Sequence, residues 1–221
     1  MITPAINSPA TEPPSADTTS PDAEITEKLR ELTRHNYLAL VPRGDAAIKA
    51  ALELFDSVLI PEEGGWLSYK KFPRQYELVS CKDSKIDLAD LRNKLKIANK
   101  LKSAAKPVQA FLYQNPGGYF AEQPAKVIYE LCSQHDCKVI MDVSGSIGTD
   151  LCNGNYADFL AGSFGQWKLV DAGKGGFISC NDKVLFEQLK ITPFVDETIL
   201  QKIKEKLNHL NQRIKFLSDK R

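Results

Sequence analysis

The sequence predicts an α/β fold: a mostly parallel sheet flanked by helices, with a disordered N-terminal tail and a short helical C-terminus. Three observations carry this expectation. From about residue 25 onward, apolar strand-like runs alternate with helical stretches of about ten residues or more, the pattern of βαβ units. Runs such as VQAFLY (108–113) and KVIM (138–141) are almost wholly apolar, as in strands covered on both faces. Residues 1–24 are rich in Pro, Ser, Thr and Ala and poor in large apolar side chains, so they bury too little surface to offset the entropy of ordering. The chain therefore divides into a tail (1–24), an α/β domain (25–181) and a helical segment (182–221).

Taken in order, 25–34 (ITEKLRELTR) has helical patterning and 37–41 (YLALV) is a short apolar strand. Pro42, Arg43 and Gly44 turn the chain, and 45–55 (DAAIKAALELF) is a helix with Asp45 near its N-terminus. A buried strand follows at 57–61 (SVLIP), then a Gly- and aromatic-containing segment at 62–75 and a strand at 76–80 (YELVS). Residues 86–101 are expected to be helical with Asp87 as cap, 108–113 a strand leading into the loop NPGGYF, and 123–135 a helix. Strands at 138–142 (KVIMD), 158–163 (DFLAGS) and 176–180 (GFISC) complete the sheet, and the remainder is largely helical with a break near Pro193.

Composition narrows the function classes. Of 221 residues 43% are hydrophobic and 26% charged, ordinary globular values, and the formal net charge is only +1. Nothing here favours nucleic acid or an anionic membrane surface. No apolar run approaches the roughly 20 residues of a membrane span, and no secretory signal is visible at the N-terminus. The five cysteines (81, 132, 137, 152, 180) are odd in number and lack zinc-site spacing. They read as reduced, mostly buried thiols of a cytoplasmic protein. His35, His135 and His209 lie far apart and read as surface or helix-end residues, so no metal site is expected.

In parallel sheets ligands bind beyond the carboxyl ends of the strands. The segments to search are 43–45, 61–66, 115–118, 142–148 and 163–176. Asp142 ends an apolar strand, where a half-buried carboxylate needs a cation or N–H partner; it is either that or a cap for the following turn. Lys168, in SFGQWKLVDAGKGG, is either a nucleophilic amine held against aromatic surface or a lysine snorkelling over it. Lys174, between glycines, reads as exposed. Gly44 and Asp45 open a helix, whose free N–H groups suit an anion, or form a plain cap. Asn115 is a turn residue or a ligand-facing amide, and Trp66 is core or a flat surface for a planar ligand. DVSGSIG (142–148) has G-x-x-G rather than G-x-G-x-x-G spacing, and AGKGG is no Walker A loop, so an α/β nucleotide-binding protein is the weakest of the readings.

The order of these features resembles the fold-type-I pyridoxal-phosphate enzymes, closest to the DegT/DnrJ/EryC1 aminotransferase group with some likeness to class V relatives. The matching residues are the helix-start glycine, the loop aromatic, NPGG, the strand Asp, Ser163-Phe164-x-x-x-Lys168 and the Gly-Gly turn, across roughly 36–180. The resemblance implies pyridoxal 5'-phosphate as cofactor and an aminotransferase acting on a small-molecule amino donor and acceptor, through a Schiff base on Lys168. It implies that Asp142 pairs with the pyridine nitrogen and that Ser163 and the Gly44-Asp45 backbone bind phosphate. Trp66 would stack on the ring and Asn115 would lie near its hydroxyl. It also implies a homodimer with the site near the interface. The chain departs from the family pattern at Asp45, where a small hydroxyl residue is usual, and at Gly145, where Gln or His is usual. The family's larger C-terminal domain is largely missing. The alternative reading is a non-catalytic member of the fold serving as a binding or assembly module.

Overall fold

The computed structural model describes residues 21–100 and 108–219; the expected tail over 1–20 and residue 101 lie outside them. Seven strands form one sheet: β1 (Tyr37–Val41), β2 (Ser57–Pro61), β3 (Gln75–Val79), β6 (Ala110–Gln114), β7 (Lys138–Asp142), β8 (Phe159–Ser163) and β9 (Gly176–Cys180). A separate hairpin joins β4 (Cys81–Lys82) to β5 (Lys85–Ile86). The spatial order is β1-β9-β8-β7-β6-β2-β3. Strands β8, β7, β6, β2 and β3 run parallel, while β9 is antiparallel to both of its neighbours. Since β1 and β8 both oppose β9, they share a direction. One edge of the sheet therefore collects the carboxyl ends of β1, β2, β6, β7 and β8 and the start of β9.

Side chains alternate between two cores because a strand has a period of two. On one face Leu59, Phe111, Tyr113, Val139, Met141, Leu160 and Phe177 pack with α1 (Pro21–Thr33), α3 (Leu88–Lys100), α4 (Ala125–Ser133), α6 (Glu197–Asn208) and α7 (Leu210–Ser218). On the other, Val58, Ile60, Ala110, Leu112, Ile140, Phe159, Ala161 and Ile178 pack with α2 (Gly44–Leu52) and α5 (Lys183–Glu187). Asp142 and Ser163 continue the second phase, two residues beyond Ile140 and Ala161, and so lie on the α2 side.

Several boundaries differ from expectation for identifiable reasons. Helix α1 begins at Pro21, so the last four residues expected in the tail are helical. Proline suits the first helical position, Asp22 and Glu24 oppose the dipole, and Ile25 and Leu29 bury against α6. The start of the helix expected from 86 is instead β5. Asp83 and Ser84 both take positive φ (52° and 61°), the signature of a tight two-residue hairpin turn that their sequence did not advertise. Asp87 does cap α3, accepting from the Ala89 and Asp90 amides at 2.8 and 3.2 Å. The C-terminal segment resolves into α5, an extended stretch, α6 and α7; Leu200, Ile203, Leu207 and Leu210 join the same core as α1. Cys132, Cys137, Cys152 and Cys180 are buried free thiols, and Cys81 is half-buried. His35, just past α1, is buried, with its ring nitrogens 3.0 Å from Ser179 Oγ and from the Gly154 carbonyl oxygen.

Glycines bring the start of α2 onto the end of β8. A Cβ on Gly44 would sit 2.7 Å from Ser163 Cβ, and one on Gly176 would meet the Gly162 oxygen at 2.5 Å and the Gly44 nitrogen at 2.8 Å. Both of the latter are backbone atoms, which cannot swing aside. Gly176→Ala is therefore expected to destabilise the protein by about 2 kcal/mol, seen as a lower urea midpoint at unchanged slope.

Candidate active site

The carboxyl-end edge opens onto a cleft of about 260 Å³. Six of the seven residues proposed from sequence line it: Gly44, Asp45, Trp66, Asp142, Ser163 and Lys168. Lys174 and Tyr119 line it as well. Their convergence follows from topology, because each lies at or beyond a strand end on the edge described above.

Asp142 is 3% exposed. A buried carboxylate is costly unless its lone pairs are filled. One oxygen accepts from the Ser144 amide at 2.8 Å and the other from the Tyr69 hydroxyl at 2.7 Å. Tyr69 is itself buried, in a short 3₁₀ turn (Tyr69–Lys71) whose first amide donates to the Trp66 carbonyl at 3.0 Å. Burial, followed by the neighbouring Asp142 charge, pushes the Tyr69 phenol well above its ordinary range. The phenol thus remains a donor to the carboxylate. The preceding residue, Ser68, donates its hydroxyl to Asp45 Oδ1 at 2.8 Å. These two bonds tie the Trp66 loop to β7 and to α2.

Lys168 lies in the excursion between β8 and β9. Ser163 pairs with Gly176 across those strands, Phe164 N–H donates to Gly175 O at 3.0 Å, and Ala172 N–H donates to Phe164 O at 3.0 Å. The excursion is therefore closed at its base. Arg213 of α7 donates to the Lys168 carbonyl at 3.2 Å. The Lys168 amine lies 5.3 Å from the Trp66 ring centroid and 4.5 Å from that of Tyr119, and it is hydrogen-bonded to the Tyr119 hydroxyl. Among the described residues it makes no ion pair, so aromatic faces stand where a carboxylate would neutralise a surface lysine.

At the start of α2 no side chain caps the helix, and Arg43 is its N-cap. Ser163 Oγ accepts from the Gly165 amide at 3.2 Å. Asn115 is the residue that the fold does not bring to the cleft. It falls one position past β6, is 1% exposed, and spends its side-chain oxygen on the Gln123 amide at 3.0 Å. Its carbonyl accepts from Ser146 Oγ at 2.7 Å. Its neighbour Gln114, paired in register with Asp142, has the only buried side-chain nitrogen or oxygen without a hydrogen bond among the described residues, Nε2. Sequence reasoning passed over Ser68, Tyr69, Tyr119 and Gln114. The aromatic residues in 62–75 and in NPGGYF were visible at strand ends, but their partners are distant in sequence.

Residues 100–209 match the model of the DegT/DnrJ/EryC1/StrS aminotransferase family. No curated protein sequence matches the chain. Solved structures share its fold, among them the following three. A DegT DnrJ EryC1 StrS aminotransferase from Brucella abortus is 16% identical, with a TM-score of 0.70 over 88% of this chain and 60% of that one. The ntda protein from Bacillus subtilis with bound cofactor PMP is 18% identical, with a TM-score of 0.69 over 88% and 49%. A serine palmitoyltransferase variant from S. paucimobilis with a bound PLP–myriocin aldimine is 14% identical, with a TM-score of 0.66 over 87% and 53%. The chain thus spans 49–60% of the length of these three proteins.

Tyr69→Phe removes one of the two bonds to the Asp142 carboxylate and should cost about 1–3 kcal/mol in urea unfolding near neutral pH. Because the folded phenol is shifted up, its stabilising contribution is complete below the ordinary tyrosine value of about 10 and is lost as pH rises beyond it. Tyr113, also pushed up by burial, acts in the same direction. The buried thiols Cys152 and Cys180, pushed up to about 12 and about 11, act the same way from the ordinary thiol value of about 8.5. Stability should therefore begin to fall above about pH 8.5 and fall more steeply above about pH 10, the latter part being reduced in Tyr69→Phe, when urea midpoints are followed with pH.

Proposed function

We propose that this chain, which matches the DegT/DnrJ/EryC1/StrS aminotransferase family over residues 100–209, is a pyridoxal-phosphate-dependent transferase. Its reaction would move an amino group between small molecules, with Lys168 as the amine that holds the cofactor. The observation that carries this reading is the meeting of Lys168, Asp142, Ser163 and the uncapped start of α2 around one cleft.

The donor set fits the group. Ser163 and the Gly44 and Asp45 amides suit its phosphate. The Asp45 carboxylate is held by the Ser68 hydroxyl at 2.8 Å and, still charged, is the one member of this set that opposes the anion. Trp66 offers a ring face, and Asp142 a fixed carboxylate for the pyridine nitrogen. Gln114, beside Asp142, has an unmatched amide donor. Asn115 has no part in this set.

When bound, pyridoxal phosphate supplies an aldehyde that combines with amines and a ring that takes up electrons from the adjoining carbon. Lys168 would hold the cofactor through its amine. The same amine would take and return a proton at the substrate α-carbon. Asp142 would keep a proton on the ring nitrogen, and the Tyr69 and Ser144 bonds hold its carboxylate in place. Trp66 and Tyr119 shield the amine from water.

The cleft rim supports a homodimer. Leu67 and Trp167 are 84% and 85% exposed, and Trp66 and Phe120 are also exposed. Such apolar surface suits coverage by a second copy. The buried thiols, with Cys152 pushed to about 12 by burial, suit a reducing cytoplasm. Among the described residues no helix is long and apolar enough to cross a membrane. A binding or assembly module on this fold is the second reading, favoured by Gly145, which offers the cofactor no side chain.

Protein incubated with pyridoxal phosphate, reduced with borohydride and digested should yield a pyridoxyl peptide on Lys168. Lys168→Ala should lose that peptide and lower amino transfer by about 100- to 10,000-fold. An adduct confined to other lysines would sink the proposal, and an adduct on Lys168 that no amino donor releases would favour the binding module. In sedimentation velocity the parent should run as a dimer, and Leu67→Glu should shift it toward monomer.

A further inference from the structure

Tyr119 reaches both Lys168 and the space beside Gly145. A Cβ built on Gly145 would lie 2.9 and 3.2 Å from two edge carbons of the Tyr119 ring. Glycine at 145 therefore leaves room that Tyr119 fills. From there the phenol reaches the Lys168 amine, and the ring centroid lies 4.5 Å from the same nitrogen.

The backbone holds Tyr119 in this pose at some cost. Its φ is 68°, a left-handed conformation that a bulky residue adopts only when its surroundings impose it. The surroundings are a closed loop. Gly117 and Ala121 exchange backbone hydrogen bonds at 2.8 and 2.9 Å, Tyr119 N–H donates to Pro116 O at 3.2 Å, and Gly118 N–H donates to Gly64 O at 2.7 Å. The last bond joins this loop to the Gly-Gly turn before Trp66. The two rings near Lys168 are thus carried on loops tied to each other.

We propose that Tyr119 is the positioning residue for Lys168, and that Gly145 is the space it requires. The hydroxyl fixes the amine over the cleft and the ring screens it from solvent. A longer side chain at 145 and this pose of Tyr119 exclude each other. The inference rests on Lys168 being the amine of the site, but it is tested on protein without cofactor.

The test is the rate at which trinitrobenzenesulfonate labels Lys168 in the unloaded chain, read by peptide mass spectrometry against Lys174 in the same cleft. Tyr119→Phe keeps the ring and removes the hydroxyl. It should raise the Lys168:Lys174 labelling ratio by about threefold, the worth of a half-exposed hydrogen bond. Gly145→Gln should raise the ratio similarly by displacing the ring, and should add nothing in a Tyr119→Ala background. Circular dichroism of each variant checks that the fold is retained. An unchanged or lower ratio in Tyr119→Phe overturns the proposal, as does independent addition of the Gly145 and Tyr119 effects. If Lys168 traps pyridoxal phosphate while the ratio stays fixed, this inference falls and the proposed function stands. A ratio that shifts without cofactor trapping reverses that outcome.

Discussion

The burial of one carboxylate governs how the site is arranged. Asp142 ends a central strand with almost no exposure, and an unpaired charge there would be prohibitive. Its two fixed donors come from different places: Ser144 from the turn that follows, and Tyr69 from a loop far back in the chain. The first bond shapes the turn after β7. The second pulls in the 62–72 segment, and Trp66 with it. A bond that satisfies a charge therefore also sets the position of an aromatic wall. Ser68 repeats the arrangement on Asp45, so adjacent residues of one short turn serve two acids on two different elements.

Close backbone approach is the second constraint. The helix that presents free amides to the cleft can lie against Ser163 only because residues 44 and 176 lack side chains. The antiparallel strand β9 matters for the same reason. It returns the chain past the helix start and locks the lysine excursion at Ser163–Gly176. On the opposite side, Arg213 and Leu210 of α7 meet the Lys168 backbone and the Gly148 turn, so the C-terminal helices support the site from behind.

The strands were legible in the sequence because apolar runs bounded by turn residues leave little freedom; β1, β2, β7 and β9 fall where the runs do. The meeting of Asp142, Ser163 and Lys168 was legible too, since strand-end positions on one sheet edge must converge. What was hidden depended on phase and on distance. Asn115 looked like a strand-end amide, but β6 extends to Gln114, and period two turns the next residue away from the α2 side. Asp83-Ser84 gave no glycine to mark its hairpin. Tyr69 and Tyr119 act through partners 73 and 49 residues away, a separation that local patterning does not encode.

The closed base of the lysine excursion has a wider consequence. Its two ends are held by sheet register, and between them Val170 and Ala172 are buried in the core while Gln166 and Trp167 are exposed. The exposed residues at its tip, Gln166 and Trp167, can therefore be exchanged while the sheet and the buried part of the excursion keep their order. Evolution, or an engineer, could vary this tip beside the amine as an interchangeable piece, with the folding of the domain left to the strands beneath it.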